Sequence, residues 1–140
     1  MIPKARRLFF GNGRLRAEVP VENGRTHGTR RDWHPNGALA AEIPFEKGLQ
    51  HGITKVWASN GELLGEYSMV QGTGVVKLWY DNGVVSSEIS MVRGLPTGRQ
   101  RAWDETGAKV AEVYWIKGKR VSRKKYTEAR KTHADLPEYP

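Results

Sequence analysis

Apolar and polar residues alternate with a period of two over much of this chain, in segments that return at a nearly fixed interval. Between 39 and 45, Leu39, Ala41, Ile43 and Phe45 point one way along an extended chain, and Ala40, Glu42 and Pro44 the other. The same column reads Leu15, Ala17, Val19, Val21 in a first copy, Leu63, Gly65, Tyr67, Met69 in a third, and Val85, Ser87, Ile89, Met91 in a fourth. Period two with β-branched and aromatic residues predicts strands. The second member of each column is small (Ala17, Ala41, Gly65, Ser87, then Ala111), which predicts a bulky group lying over it.

Each strand follows a doublet: Asn12-Gly13, Asn36-Gly37, Asn60-Gly61, Asn82-Gly83 and Thr106-Gly107, at steps of 24, 24, 22 and 24 residues. An aromatic stands three residues before each doublet (Phe9, Trp33, Trp57, Trp79, Trp103), and a glutamate six residues after its first member. Asn-Gly between alternating runs signals a two-residue hairpin turn of type I′, because both residues tolerate positive φ. A two-residue loop makes the numbers of facing residues sum to those of the doublet. The rule sets Arg7 against Glu18, Arg31 against Glu42, Lys55 against Glu66, Lys77 against Glu88 and Arg101 against Glu112. Five opposite-charge pairs favour that register over a three-residue loop with a bulge, which would set Glu42 against Arg30 and Glu88 against Val76.

The return connections carry glycine at both ends, Gly24 to Gly28, Gly48 to Gly52 and Gly94 to Gly98; the third shortens to Gly72-Thr73-Gly74, which predicts that its two lost residues come from the turn. A repeat of this size means stacked units working through a displayed surface. The expected fold is all-β: a single-layer antiparallel meander of tandem hairpins, about ten strands by one pair per repeat, ending in a short capping helix. The repeats span 5–121, dividing near 9–32, 33–56, 57–78, 79–102 and 103–121. No closing strand is expected after Gly118; Ser122 caps a helix within 122–136 in which Tyr126, Ala129 and His133 share a face, and 1–4 and 137–140 are tails.

At 140 residues the chain is at most one domain, and its 38% apolar content suits a thin sheet. With no cysteine, disulfides and thiol catalysis are excluded. The start lacks a signal-peptide apolar core and no apolar run reaches membrane-spanning length, so a cytoplasmic protein is expected. The net charge of +8 divides into +6 over 1–31, −3 over 32–116 and +5 over 117–140. Basic ends on an acidic middle differ from one continuous basic face.

The string Trp33-His34-Pro35-Asn36-Gly37-Ala38-Leu39-Ala40-Ala41-Glu42, then Gly48-Leu49-Gln50-His51-Gly52 and Trp57, resembles the bacterial variant of the MORN repeat. The likeness covers about 5–121, and similar proteins also carry a helical end like that of Ser122, Tyr126 and Ala129. It implies β-hairpin repeats. Members are often labelled antitoxin or immunity proteins, and the related eukaryotic repeats are described as scaffolds and binders of acidic lipids. The family has no catalytic residues to carry over. This chain departs from the pattern in its third return turn, in lacking the histidine in copies three to five, and at Thr106.

Two sets of residues are candidates for binding. Trp33, Trp57, Trp79 and Trp103 form either a binding stripe or a ladder of rings packing repeat on repeat. Arg120, Arg123, Lys124 and Lys125, in a wider basic cluster, either bind an acidic surface or guard an open sheet edge. The glutamate column reads as a salt-bridge ladder, since no two carboxylates stand at catalytic spacing. His27 and His51 read as turn-stabilising, and neither a cofactor nor a metal is implied. The expected function is non-enzymatic binding of a protein partner through the curled sheet, a cognate toxin being the concrete version that the resemblance implies. Binding of nucleic acid or acidic lipid through the basic ends, and a structural homodimer, are the alternatives.

Overall fold

The computed structural model describes residues 4–139, so residues 1–3 and 140 of the expected tails lie outside the described residues. The chain folds into one open antiparallel sheet. Its strands are β1 (Lys4–Phe9), β2 (Leu15–Glu22), β3 (Arg25–Thr26), β4 (Gly28–Trp33), β5 (Leu39–Glu46), β6 (Leu49–Gln50) and β7 (Gly52–Trp57). They continue as β8 (Leu63–Val70), β9 (Thr73–Trp79), β10 (Val85–Val92), β11 (Leu95–Trp103), β12 (Lys109–Ile116) and β13 (Lys119–Val121), followed by the helix α1 (Arg123–Arg130). Pairing follows chain order from β1 to β13, with β3 and β6 forming the near ends of the strands that continue as β4 and β7. Counted that way the meander has eleven rungs. The rung beyond the expected ten is β13, which turns back after Gly118 and sets Val121 against Tyr114, where no closing strand was expected.

All five predicted cross-strand pairs occur: Arg7 faces Glu18, Arg31 faces Glu42, Lys55 faces Glu66, Lys77 faces Glu88 and Arg101 faces Glu112. The turn that produces them differs from the predicted one. Gly37 N–H donates to His34 O at 2.9 Å and His34 N–H to Ala38 O at 2.8 Å, closing a three-residue loop. Positive φ falls on Gly37 (89°) and not on Asn36, so this is a type I turn with glycine in the bulge position rather than type I′. The register still comes out as the two-residue rule gives it because a second bulge follows. Trp33 faces Leu39 but Asp32 faces Ala41, leaving Ala40 as the extra residue. The same shift recurs in the other four doublet hairpins. It also puts Leu39 out of step with Ala41, Ile43 and Phe45, contrary to the simple alternation.

The type I′ turns lie at the opposite end of each hairpin. In Lys47-Gly48 both residues have positive φ, 49° and 87°, and Asn23-Gly24, Gln71-Gly72, Arg93-Gly94 and Lys117-Gly118 do the same. Val21 pairs with Thr26 but Glu18 with Arg31, so the returning strand holds two extra residues around His27. In the third copy β9 runs unbroken from Thr73 directly after an unchanged turn, with Val70 facing Thr73. The two residues missing there come out of the strand's bulge and not, as the sequence suggested, out of the turn.

Alternation then defines two faces. One carries a row of alternating charge, Arg7, Glu18, Arg31, Glu42, Lys55 and onward to Glu112. The other carries Val19, Ile43, Phe45, Tyr67, Met69 and Ile89 among others. Few side chains are fully buried, as a single layer requires. The main cluster is at the C-terminal end, where Ser122 Oγ accepts from Lys125 N–H at 3.0 Å and starts α1. Tyr114, Tyr126 and Leu136 are buried there, with Ile116, Val121, Ala129 and Tyr139 against them. Since Tyr114 shares the charged row's face, α1 covers that face at its end. Among the described residues no element lies over the apolar face.

Candidate binding surface

Repeats are held in step by the backbone of their turns. Each return turn after the first donates a glycine N–H to the turn before it: Gly48 to Thr26 O at 2.8 Å, Gly72 to Gln50 O at 2.8 Å, Gly94 to Gly72 O at 3.0 Å and Gly118 to Pro96 O at 2.8 Å. A side chain reinforces each contact. His27 Nδ1 accepts from Lys47 N–H at 3.1 Å and His51 Nδ1 from Gln71 N–H at 3.0 Å, the turn-stabilising role expected of them. Where histidine is missing, Thr73 and Thr97 Oγ1 take the bond from Arg93 and Lys117 at 3.0 and 3.2 Å. At the doublet end Asn36 Nδ2 donates to Ser59 O at 2.9 Å, while its Oδ1 accepts from Ala38 N–H at 3.0 Å. In the last copy, where Thr106 replaces asparagine, Asp104 Oδ1 accepts from the Thr106 hydroxyl and from the Thr106 and Ala108 N–H groups, and these bonds, the hydroxyl's first, hold its carboxyl below the ordinary range.

This rigid stacking supports two clefts on the apolar face. The larger, about 210 Å³, is walled by Ile43, Val56, Trp57, Leu64, Leu78 and Trp79, with Asp32, His34, Lys77 and Asp81 at its polar margin. At its base the Thr54 hydroxyl is buried beside the Tyr67 phenol and completes no hydrogen bond of good geometry, the phenol's own proton going to Gln50 at 3.0 Å. Burial raises the Tyr67 pKa above that of an ordinary phenol. Asp81 stays readily ionised, because Ser59 hydrogen-bonds it through side chain and backbone. The smaller cleft, about 130 Å³, lies between Phe45, Leu49, Met69, Val76 and Met91 at the return-turn end.

Trp33, Trp57, Trp79 and Trp103 are all half-buried, whereas Phe9 at the head of their column is 58% exposed. Of the two alternatives the ladder of rings is not formed; among the described residues the aromatic pairs are Tyr114 with Tyr126 and Tyr126 with Tyr139, at centroid distances of 5.3 and 6.2 Å. Trp79 instead lies over the backbone of Gly65, the smallest member of the small column. That is the bulky cover the sequence pattern asked for. Arg101 stands 5.2 Å over the ring of Trp103.

Of the four cations singled out, Arg120 and Arg123 line a polar cleft of about 300 Å³ with Glu112, Tyr114 and Ser122, while Lys124 and Lys125 are exposed on α1. Folding brings Tyr114 to these basic residues beside Tyr126, which follows Lys125 in the sequence, but Tyr114 and Tyr126 are only 6% and 2% exposed and offer no stacking platform. The charge row is a ladder with exceptions. Arg7 meets Glu18 and Arg31 meets Glu42, both at 3.1 Å, and Lys77 meets Glu88 at 3.6 Å. Arg101 turns from Glu112 to Glu88 at 3.0 Å, and Glu112 takes Lys109 at 3.1 Å and the Tyr114 hydroxyl at 2.9 Å. Lys55 and Glu66 face each other without an ion pair among the described residues. The residues that sequence reading missed are those of the cleft floor, Thr54 and Tyr67, whose signal was only their place in the strand column.

Stacked hairpins with one open, cleft-bearing face define a repeat protein built to present a surface. Residues 26–47 and 73–92 match the family model described as MORN repeat variant, and the chain is similar to that family over those two segments. No curated protein and no solved structure matches the chain. Among the described residues no helix is long and apolar enough to cross a membrane, and no three metal-ligating side chains converge.

Proposed function

We propose that this is a non-enzymatic binding protein that engages a protein partner on the apolar face of its sheet. The observation that carries the reading is the cleft between Trp57 and Trp79: an apolar site on a face that no described element covers, with the Thr54 hydroxyl at its base. Interfaces draw most of their energy from a few large apolar or aromatic anchors seated in such pockets. The partner accordingly brings bulky apolar side chains to the middle repeats. Following the family likeness, we further propose that the partner is a toxin and that binding neutralises it. A basic chain does not mimic nucleic acid, so the contact rests on the apolar face or on an acidic surface of the toxin.

Co-expression with the product of the neighbouring gene, followed by purification through this chain, tests both levels. A stoichiometric complex that survives 0.5 M salt and is lost in Trp57→Ala and Trp79→Ala is the expected result; a complex indifferent to both substitutions ends the reading. A second reading, binding of acidic lipid or nucleic acid, is favoured by Arg120 and Arg123, which line a cleft and make no ion pair among the described residues. It predicts affinity that falls steeply between 50 and 200 mM salt, about tenfold or more for a few phosphate contacts.

A further inference from the structure

The two ends of the sheet are alike in a way that restricts what they can join. Strand β1 pairs on one side with β2, and among the described residues nothing pairs with its other side. Its sequence, Lys-Ala-Arg-Arg-Leu-Phe, is exposed at every position except Leu8. An unpaired edge of six residues is a template for another strand. Of its cations only Arg7 is engaged, with Glu18 at 3.1 Å; Lys4 and Arg6 have no ion-pair partner among the described residues, nor have Arg16 on β2 and Arg25 on β3. Pairing puts Lys4 and Arg6 beside Val21 and Val19, so both stand on the apolar-face side of the edge.

A second copy is a poor occupant. Any near-complete antiparallel pairing of β1 with itself sets arginine opposite arginine, since Arg6 and Arg7 lie at its centre, and like charges directly opposite destabilise a strand pair. Head-to-tail stacking is no better. The far edge, β13, has only three residues, and two of them are Lys119 and Arg120. Like charge at both ends stops the sheet from propagating, yet leaves β1 complementary to one kind of strand.

We infer that β1 receives an extended acidic segment of a partner protein as an additional strand, main-chain hydrogen bonds supplying the affinity and Lys4 and Arg6 selecting the charge. This is strand addition at a sheet edge, with specificity from alternate side chains. A fitting segment alternates acidic and apolar residues, the acids over Lys4 and Arg6 and the apolar side chains beside Ala5 and Phe9. The site is distinct from the tryptophan cleft, and its test is independent of that reading.

The probe is a capped hexapeptide alternating glutamate and valine, titrated into the full chain while backbone amide and tryptophan indole signals are followed by NMR. The expected result is shifts confined to Lys4–Phe9 and the adjoining strand, affinity at least tenfold weaker with Arg6→Glu, and slowed amide exchange along β1. A fully N-methylated peptide keeps the charge and removes every donor; it is expected to bind at least tenfold more weakly. Equal binding of the methylated peptide would reduce the contact to charge attraction and overturn the inference. Shifts centred on Lys119–Val121 or on the Trp57 and Trp79 indoles, no binding at millimolar peptide, or sedimentation showing copies joined through β1 would overturn it as well.

Discussion

His51 Nδ1 accepts the N–H of Gln71 at 3.0 Å, tying the return turn of one repeat to the bulge of the repeat before it. Gln71 has φ 49° and its N–H points away from its own hairpin, so without His51 that donor has no partner within the turn. Thr97 does the same for Lys117 from a strand with the same bulge. His51→Thr is therefore expected to leave stability within about 0.5 kcal/mol of the parent, while His51→Ala, which orphans the donor, costs about 1 kcal/mol. Chemical denaturation of both variants checks this, and equal losses would show that the histidine ring acts by packing instead.

The doublet asparagines make a sharper case. Were Asn36 at positive φ, glycine would serve as well or better there. It is not at positive φ, and its amide works twice: Oδ1 accepts from Ala38 N–H and Nδ2 donates to Ser59 O in the next repeat. Asn36→Gly loses both bonds and is expected to destabilise by about 1–2 kcal/mol. Asn36→Asp keeps the first bond and loses the second, and should fall between. A glycine variant as stable as the parent would restore the type I′ assignment.

These two positions show what was legible in the chain. The spacing of doublets, aromatics and glutamates fixed the strand order and all five charge pairs, because a register is an integer and five copies vote on it. The turn type was not legible, since a three-residue loop with a bulge at Ala40 and a two-residue loop with none give the same sum for Arg31 and Glu42. Asn-Gly fits both. The primed turns stood in plain view at Asn23-Gly24, but Lys47, Gln71, Arg93 and Lys117 at the equivalent positions are poor αL formers that disguised the column. The cleft was less legible still. Trp57 and Trp79 were visible as a stripe, but their relation to Thr54 and Tyr67 depends on how the sheet curls, which period-two alternation does not encode.

Gly65 tests how tightly the tryptophans are seated. A Cβ built on it would stand 2.7 Å from Cε2 of Trp79, so even alanine requires the indole to move. Gly65→Ala is expected to cost about 1–3 kcal/mol by overpacking. It should also shift the Trp79 emission maximum and, by displacing a wall of the cleft, weaken partner binding more than a cost in stability alone would. At Ala41, the same column position one repeat earlier, alanine is the native residue. A Gly65→Ala protein with unchanged emission and stability would mean that Trp79 has somewhere else to go.

The C-terminal cap carries its own pH signature. Tyr126 is 2% exposed, donates its hydroxyl to Pro137 O at 2.6 Å, and is pushed up to about 12, chiefly by burial and then by Tyr139 nearby. An unfolded tyrosine ionises near 10. A group raised on folding contributes in full below its unfolded value and loses that contribution as pH climbs through the folded one. Stability of the cap should therefore hold up to about pH 10 and fall between about 10 and 12. Absorbance at 295 nm should show this tyrosinate forming late, together with loss of helical circular dichroism from the segment Arg123–Arg130. Tyr126→Phe removes the ionisation together with the bond to Pro137, so it is expected to lower stability at neutral pH by about 1 kcal/mol and to flatten the alkaline loss. If the variant loses its helix over the same interval as the parent, the alkaline transition belongs to another group, and the cap is held by something other than this buried phenol.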